Sequence, residues 1–274
     1  MKATILIDNI TKDDLISEWG LAVYIEYKGH KFLLDTGASG KFAKNAKGLG
    51  IDLADIEYGI LSHAHYDHSY GLAEFFKKNT RAKFFLRDGS AEDCYGKKWI
   101  FSKYIGIRKG DLERYGDRIE YVSGDYQLMD GVYLIPHKTP GLEVAGKSAH
   151  MYRKKSGRWY PDDFSHEQSL VFDTVEGLVI FNSCSHGGAD NIIKETATTF
   201  PDKKIHTLIG GFHLVGRPEG DIRSLAERIR ETGIKRVVTG HCSGEKGFQI
   251  LKQVLGDRVS QMYCGMILNM EENK

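Results

Sequence analysis

Four side chains able to ligate a metal fall within six residues of this chain: His63, His65, Asp67 and His68, in the stretch Ile60-Leu-Ser-His-Ala-His-Tyr-Asp-His-Ser-Tyr-Gly71. The run before them, with Ile56, Tyr58, Ile60 and Leu61, is short and apolar, as a buried strand is. The run after them, Gly71-Leu-Ala-Glu-Phe-Phe-Lys-Lys, has helix formers with apolar residues at helical spacing. The ligands therefore belong on a loop leaving the carboxyl end of a strand. There they can converge on one point without filling a core.

The residue types fit the chemistry. Neutral imidazole is the common nitrogen ligand for zinc and iron, and a carboxylate adds a harder oxygen donor. His63 and His65 can aim at one ion, while Asp67 and His68 on a tight turn can reach a second. Two ions a few ångströms apart can clamp a substrate oxygen and make a shared water acidic at neutral pH.

This H-x-H-x-D-H pattern resembles the metallo-β-lactamase-fold hydrolase superfamily, and the resemblance runs along most of the chain. It implies a four-layer αββα sandwich with one or two metals at the edges of its sheets. The superfamily includes lactamases, thioesterases, lactonases, phosphodiesterases, nucleases and some oxidoreductases, so the resemblance specifies a substrate much less than a fold.

The resemblance also implies further site residues. It matches His166 to the third ligand histidine and His241 to the last, and it puts Cys184 where the family carries a bridging aspartate. A thiolate there would favour a softer ion. His186, two residues on, is the alternative source of the missing ligand. Ser183-Cys-Ser-His-Gly-Gly and Gly210-Gly-Phe-His resemble a branch that includes dihydropterin-ribofuranosylaminobenzene phosphate synthases. Leu33-Leu-Asp-Thr-Gly37 is a further resemblance, and Asp35 suits a role holding a ligand histidine by its free N–H. It could equally cap the helix expected over 39–47.

At 274 residues and 41% hydrophobic content, the chain has the length of one such sandwich. A net charge of +1 gives no global case for nucleic acid. No apolar run approaches the ~20 residues that span a bilayer, and the first residues lack a signal-peptide core. No membrane partner is expected, and a homodimer is possible. Cys94, Cys184, Cys242 and Cys264 are scattered without a CxxC pair, so the reducing cytoplasm is the expected compartment.

Along the chain, a hairpin is expected at 21–35 around Lys28-Gly29-His30, with His30 a turn residue. A second is expected at 170–182 around Glu176-Gly177. Residues 88–135 carry no strong motif, and Cys94 has no evident ligand partner. Residues 136–165, with Pro136, Pro140, Gly141, Gly146, Gly157 and Pro161, read as an irregular lid or insertion. Its Lys154, Lys155, Arg158, Tyr152, Trp159 and Tyr160 would suit an anionic, partly planar substrate. Helices are expected at 189–199, 219–232 and 245–255. His213, after the strand ending near 209, is a candidate acid–base or substrate-binding group. Gly187 and Gly188 at a helix start would suit a phosphate. Cys242 is expected to point away from the site.

These readings give a single-domain metal-dependent hydrolase acting on a small, anionic or phosphorylated ester, lactone or phosphodiester. Two divalent ions are expected, zinc first, with iron or manganese as alternatives. One would take His63, His65 and His166. The other would take Asp67, His68 and His241, with Cys184 or His186 in or beside the bridge. Asp67 could also shuttle a proton. The competing functions are a synthase-like transferase and a non-catalytic metal-binding sensor.

Overall fold

A computed structural model describes residues 1–12 and 14–271. Its scaffold is two seven-stranded mixed sheets packed face to face, with helices on both outer faces. The first sheet runs Ile267–Asn269, Lys2–Ile7, Ala22–Tyr27, His30–Leu34, Tyr58–Ile60, Lys83–Arg87, Ile119–Val122. The second runs Val259–Gln261, Arg236–Thr239, Ile205–Gly210, Gly177–Phe181, Gln168–Thr174, Val132–Pro136, Tyr126–Met129. This is the αββα sandwich.

Strand alternation produces the layers, because successive side chains leave a strand on opposite faces. Val23, Ile25, Phe32 and Leu34 point inward and meet Leu170, Phe172, Val179 and Phe181 of the facing sheet. Tyr24 and Leu33 point outward, onto Phe42, Ala46 and Phe75 of the helices Lys41–Gly48 and Leu72–Lys78. On the other side Val171, Ile180 and Leu208 pack against Ile192, Leu225 and Leu251 of Ala189–Thr199, Glu219–Glu231 and Gly244–Leu255. Truncating Phe172, fully buried at the centre, would cost about 3–5 kcal/mol.

The two expected hairpins form, with turns at Lys28-Gly29 and Val175-Glu176. His30 closes the first and meets Glu57 on the surface, at 2.9 Å. The expectation of irregularity over 136–165 is corrected. That segment holds the helix Glu143–Ser148 and the hairpin Met151–Lys155/Arg158–Pro161. The hairpin pairs with Cys94–Lys98, itself paired with Phe101–Tyr104, to make a third sheet of four strands. These strands are charged and aromatic with few buried positions, so they lack the apolar alternation that marks a strand in sequence.

Five strands end at one edge of the sandwich and feed the site. His30–Leu34 leads into Asp35, Tyr58–Ile60 into Ser62–His68, Gly177–Phe181 into Ser183–His186, Ile205–Gly210 into His213, and Arg236–Thr239 into His241.

Candidate metal centre

Two clusters of buried ligand atoms lie at this edge. In the first, one nitrogen each from His63, His65 and His186 lies within 4.8 Å of the others. Their rings stand 4.6–5.0 Å apart between centroids. Nε2 of His63, Nε2 of His65 and both ring nitrogens of His186 are buried with no hydrogen-bond partner among the described residues. Leaving one such atom unsatisfied costs about 1–3 kcal/mol, so one nitrogen from each ring converging on a point suits a common partner. Burial, and then the neighbouring imidazoles, hold His63 and His186 neutral; His65 is lowered to about 3 by burial and His166. Neutral imidazoles with free lone pairs suit a cation, because they can donate to it without first losing a proton.

The second cluster is Asp67, His68 and His241. His68 Nε2 lies 3.2 Å from His241 Nε2, and His241 Nε2 lies 3.5 Å from Asp67 Oδ2. Hydrogen bonds on the far side of each ring fix where its proton sits. Asp35 Oδ2 accepts from His68 Nδ1 at 2.7 Å. Asn9 Oδ1, oriented by the Gly20 N–H at 3.2 Å, accepts from His241 Nδ1 at 3.2 Å. Both Nε2 lone pairs therefore face each other beside a carboxylate, an arrangement that calls for a positive charge between them. Without an ion a proton can supply it: burial opposes charge on His241, yet Cys242 and Asp67 raise its pKa to about 9.

Asp35 also acts on the first cluster. Ser62 Oγ donates its one hydrogen to Asp35 Oδ2 at 2.7 Å, so His63 Nδ1, 2.8 Å from Ser62 Oγ, must donate to that hydroxyl. His63 Nε2 is thereby left as a lone pair. Ser62 N and Ser183 Oγ complete the cage around the carboxylate at 2.7 and 2.5 Å.

Cys184 lies between the clusters, with Sγ 3.3 Å from His68 Nε2 and in reach of His63 on one side and His241 on the other. Cys242 does not point away as expected: its Sγ is 3.4 Å from Cys184 Sγ and accepts the His213 N–H at 3.2 Å. The tight path of the chain brings it inward, since a Cβ on Gly211 would lie only 2.5 Å from that sulfur.

His166 is not grouped as expected. Its Nδ1 accepts the Ala64 N–H at 3.1 Å and its Nε2 meets Asp162 Oδ2 at 3.1 Å, so both nitrogens are engaged. The histidine whose ring lies beside both His63 and His65 is His186. His166 instead joins His65, Asp162 and Cys94 in a separate buried group, which gives Cys94 the company its sequence neighbourhood did not suggest.

His213 stands beside the first cluster, its ring 4.6 Å from that of His186, with its pKa lowered to about 4 by burial and then by Arg217. It belongs to neither ligand cluster. Gly187 packs against His137, where a Cβ would approach Cε1 to 2.4 Å, and Gly188 takes φ +99° at the start of Ala189–Thr199. Both line a cavity of about 570 Å³ shared with Ser185, His186, His213 and Arg217. Asp35, Ser185, His213 and His241 all adopt positive φ, the local strain that collects at working sites.

Several contributors carry no sequence signal. Trp19, 44% exposed at the rim, donates Nε1–H to Asp67 Oδ2 at 2.9 Å. Buried His137 bridges Glu167 (2.8 Å) and Glu195 (3.1 Å), and Glu167 accepts the His186 N–H at 3.1 Å. A lone Trp or Glu can be recognised as part of a site only once the fold brings it there.

Known proteins share the sequence pattern and the fold. Residues 20–144 match the model of the metallo-beta-lactamase superfamily. The 7,8-dihydropterin-6-methyl-4-(beta-D-ribofuranosyl)-aminobenzene-5'-phosphate synthase of Methanocaldococcus jannaschii is 26% identical, over 92% of this chain and 90% of its own. A solved metal-dependent hydrolase of the beta-lactamase superfamily is 28% identical with a TM-score of 0.85, covering 99% of this chain and 100% of that one. Zinc-bound PqqB from Methylobacterium extorquens shares the fold, with TM-score 0.57 and 12% identity over 98% of this chain and 100% of its own. Among the described residues no helix is long and apolar enough to cross a membrane. Residues 20–144 thus resemble the metallo-beta-lactamase superfamily in sequence, and the whole chain shares the fold of a solved metal-dependent hydrolase of that superfamily.

Proposed function

We propose that this chain is a hydrolase of small anionic esters, lactones or phosphodiesters that works with two divalent ions, zinc foremost. The observation that carries this reading is the convergence of partnerless imidazole nitrogens from His63, His65 and His186 beside the Asp67, His68 and His241 cluster. The first three would hold one ion and the second three the other, with Cys184 between them. Ions held there supply Lewis acidity, making a water acidic at neutral pH and polarising the electrophile.

The protein's own groups do the rest. Trp19 fixes Asp67 Oδ2, the oxygen 3.5 Å from His241 Nε2, and so orients the carboxylate in the site. His213, neutral at pH 7, faces the cavity and can accept a proton there or hydrogen-bond a substrate oxygen. Arg217, Lys194 and the start of Ala189–Thr199 favour an anionic substrate arm, while Asp190 is occupied by Arg228 at 2.9 Å and Lys194 at 3.4 Å. Phe212, Leu214 and Ile222 give the same cavity an apolar wall.

The kinship with a synthase supports a second reading, transfer onto a phosphorylated ribosyl-aminobenzene acceptor. The metal-loaded protein should be assayed against phosphodiesters, lactones and aryl esters, and in parallel against a dihydropterin with that acceptor. Turnover in the first panel that is lost with Asp67→Asn supports hydrolysis. Turnover only in the second replaces it with transfer.

A further inference from the structure

The four-stranded sheet carries a surface that the metal centre does not use. Its hairpin Cys94–Lys98/Phe101–Tyr104 turns on two residues, Trp99 and Ile100, because Lys98 pairs with Phe101. Trp99, Ile100 and Phe101 are 83%, 88% and 75% exposed. Trp99 also takes φ +58°. A two-residue hairpin turn with positive φ at its first residue alone favours Gly there, and a bulky aromatic at that position is a steric outlier. The chain thus accepts backbone strain and exposes three large apolar side chains at the same point. Stability gains from neither, which directs attention to binding.

The charge around the tip has one sign. Residues 94–110 and 144–161 hold five Lys or Arg each and no Asp or Glu, in a chain whose net charge is only +1; of these ten, Arg153 is buried against Asp93 and adds no surface charge. Lys98 and Lys103 are exposed beside the tip, and Lys97 Nζ donates to the Trp99 carbonyl at 3.0 Å. Behind the tip one face of the sheet is an aromatic row. The Tyr95 ring lies 5.1 Å from Tyr104 and 5.2 Å from Trp159, with the ammonium groups of Lys97, Lys109 and Lys154 over these rings.

We infer that this hairpin docks the protein on an anionic lipid bilayer, with Trp99, Ile100 and Phe101 entering the headgroup–acyl boundary and the lysines facing lipid phosphates. Trp, Tyr and Lys around an apolar wedge are the residue types that settle at membrane interfaces. Anionic headgroups complement the uniform positive charge. A second copy of the chain would set like charges against like, and an aliphatic Ile100 at the apex offers nothing for a base to stack on. The absence of a spanning segment suggests no membrane partner from sequence, but docking of this kind needs no span. The strand Phe101–Tyr104 runs straight into Ile105, whose carbonyl accepts the Tyr66 N–H at 2.9 Å, so the docked hairpin abuts the metal loop.

The test is sedimentation of the metal-loaded full chain with vesicles of phosphatidylcholine alone or with about one-third phosphatidylglycerol. The double variant Trp99→Gly/Ile100→Asn supplies the residue this turn favours, so thermal melting should show it as stable as wild type or more so. Wild type should bind the anionic vesicles, release as salt rises, and bind neutral vesicles at least tenfold more weakly. The double variant should lose at least tenfold in anionic-vesicle binding, and Lys98→Gln/Lys103→Gln should weaken it and flatten the salt dependence. Wild type that ignores anionic vesicles, or a well-folded double variant that binds them as wild type does, overturns the inference. So does a wild-type dimer that the double variant converts to monomer without any vesicle binding, which would assign the tip to a second copy. Retention of an oligonucleotide in place of vesicles overturns it as well.

Discussion

Asp35 Oδ2 lies 2.7 Å from His68 Nδ1, and through Ser62 the same carboxylate also sets the proton on His63. One buried side chain thus prepares a lone pair in each of the two ligand clusters. Asp35→Asn keeps the shape but brings an amide N–H into a cage of donors. Loss of such a supporting group typically lowers metal affinity by about 10–100-fold. Competition with a chelator should show that loss for both ions. A loss confined to one ion would remove the link through Ser62.

Trp19 tests the other side of Asp67. Trp19→Phe retains a ring at a half-exposed position and deletes only the N–H that holds Oδ2. Folding should be unchanged by thermal melting, with one ion bound on the order of tenfold more weakly, as for loss of a hydrogen bond to a charged group. Equal retention of both ions would make the contact incidental.

His137 carries a pH prediction. Burial opposes its charge, but Glu167 and then Glu195 raise its pKa to about 10. A histidine raised in the folded state contributes stability that is complete below its unfolded value of ~6.5 and is lost as pH climbs through the folded value. The melting temperature of wild type should therefore exceed that of His137→Gln most at about pH 6, with the gap closing toward pH 10. Removing one partner of such a buried pair costs about 3–5 kcal/mol while the charges persist. A gap that is constant across this range would show that His137 is neutral.

Much of this was legible in the chain itself. The ligand run 63–68 followed from residue type and local apolar pattern, while Asp35 and His241 were indicated by the family resemblance. What was hidden depends on side-chain direction. Spacing does not say that His166 turns its nitrogens to Ala64 and Asp162 while His186 turns inward, or that Cys242 faces Cys184. The third sheet was hidden for a different reason. Its strands come from 94–104 and 151–161 and bury little apolar surface, so neither segment shows a strand's alternation alone. The concentration of charge and aromatic residues on it emerges only after they pair.

The most direct test of the account is metal content on purified protein prepared without chelators, for wild type, His186→Ala and His241→Ala. The ligand clusters predict two ions per wild-type chain and one in each variant, with Cys184→Ala weakening both. One ion per chain, unaffected by His186→Ala, would contradict the assignment of His186 and with it the two-ion centre.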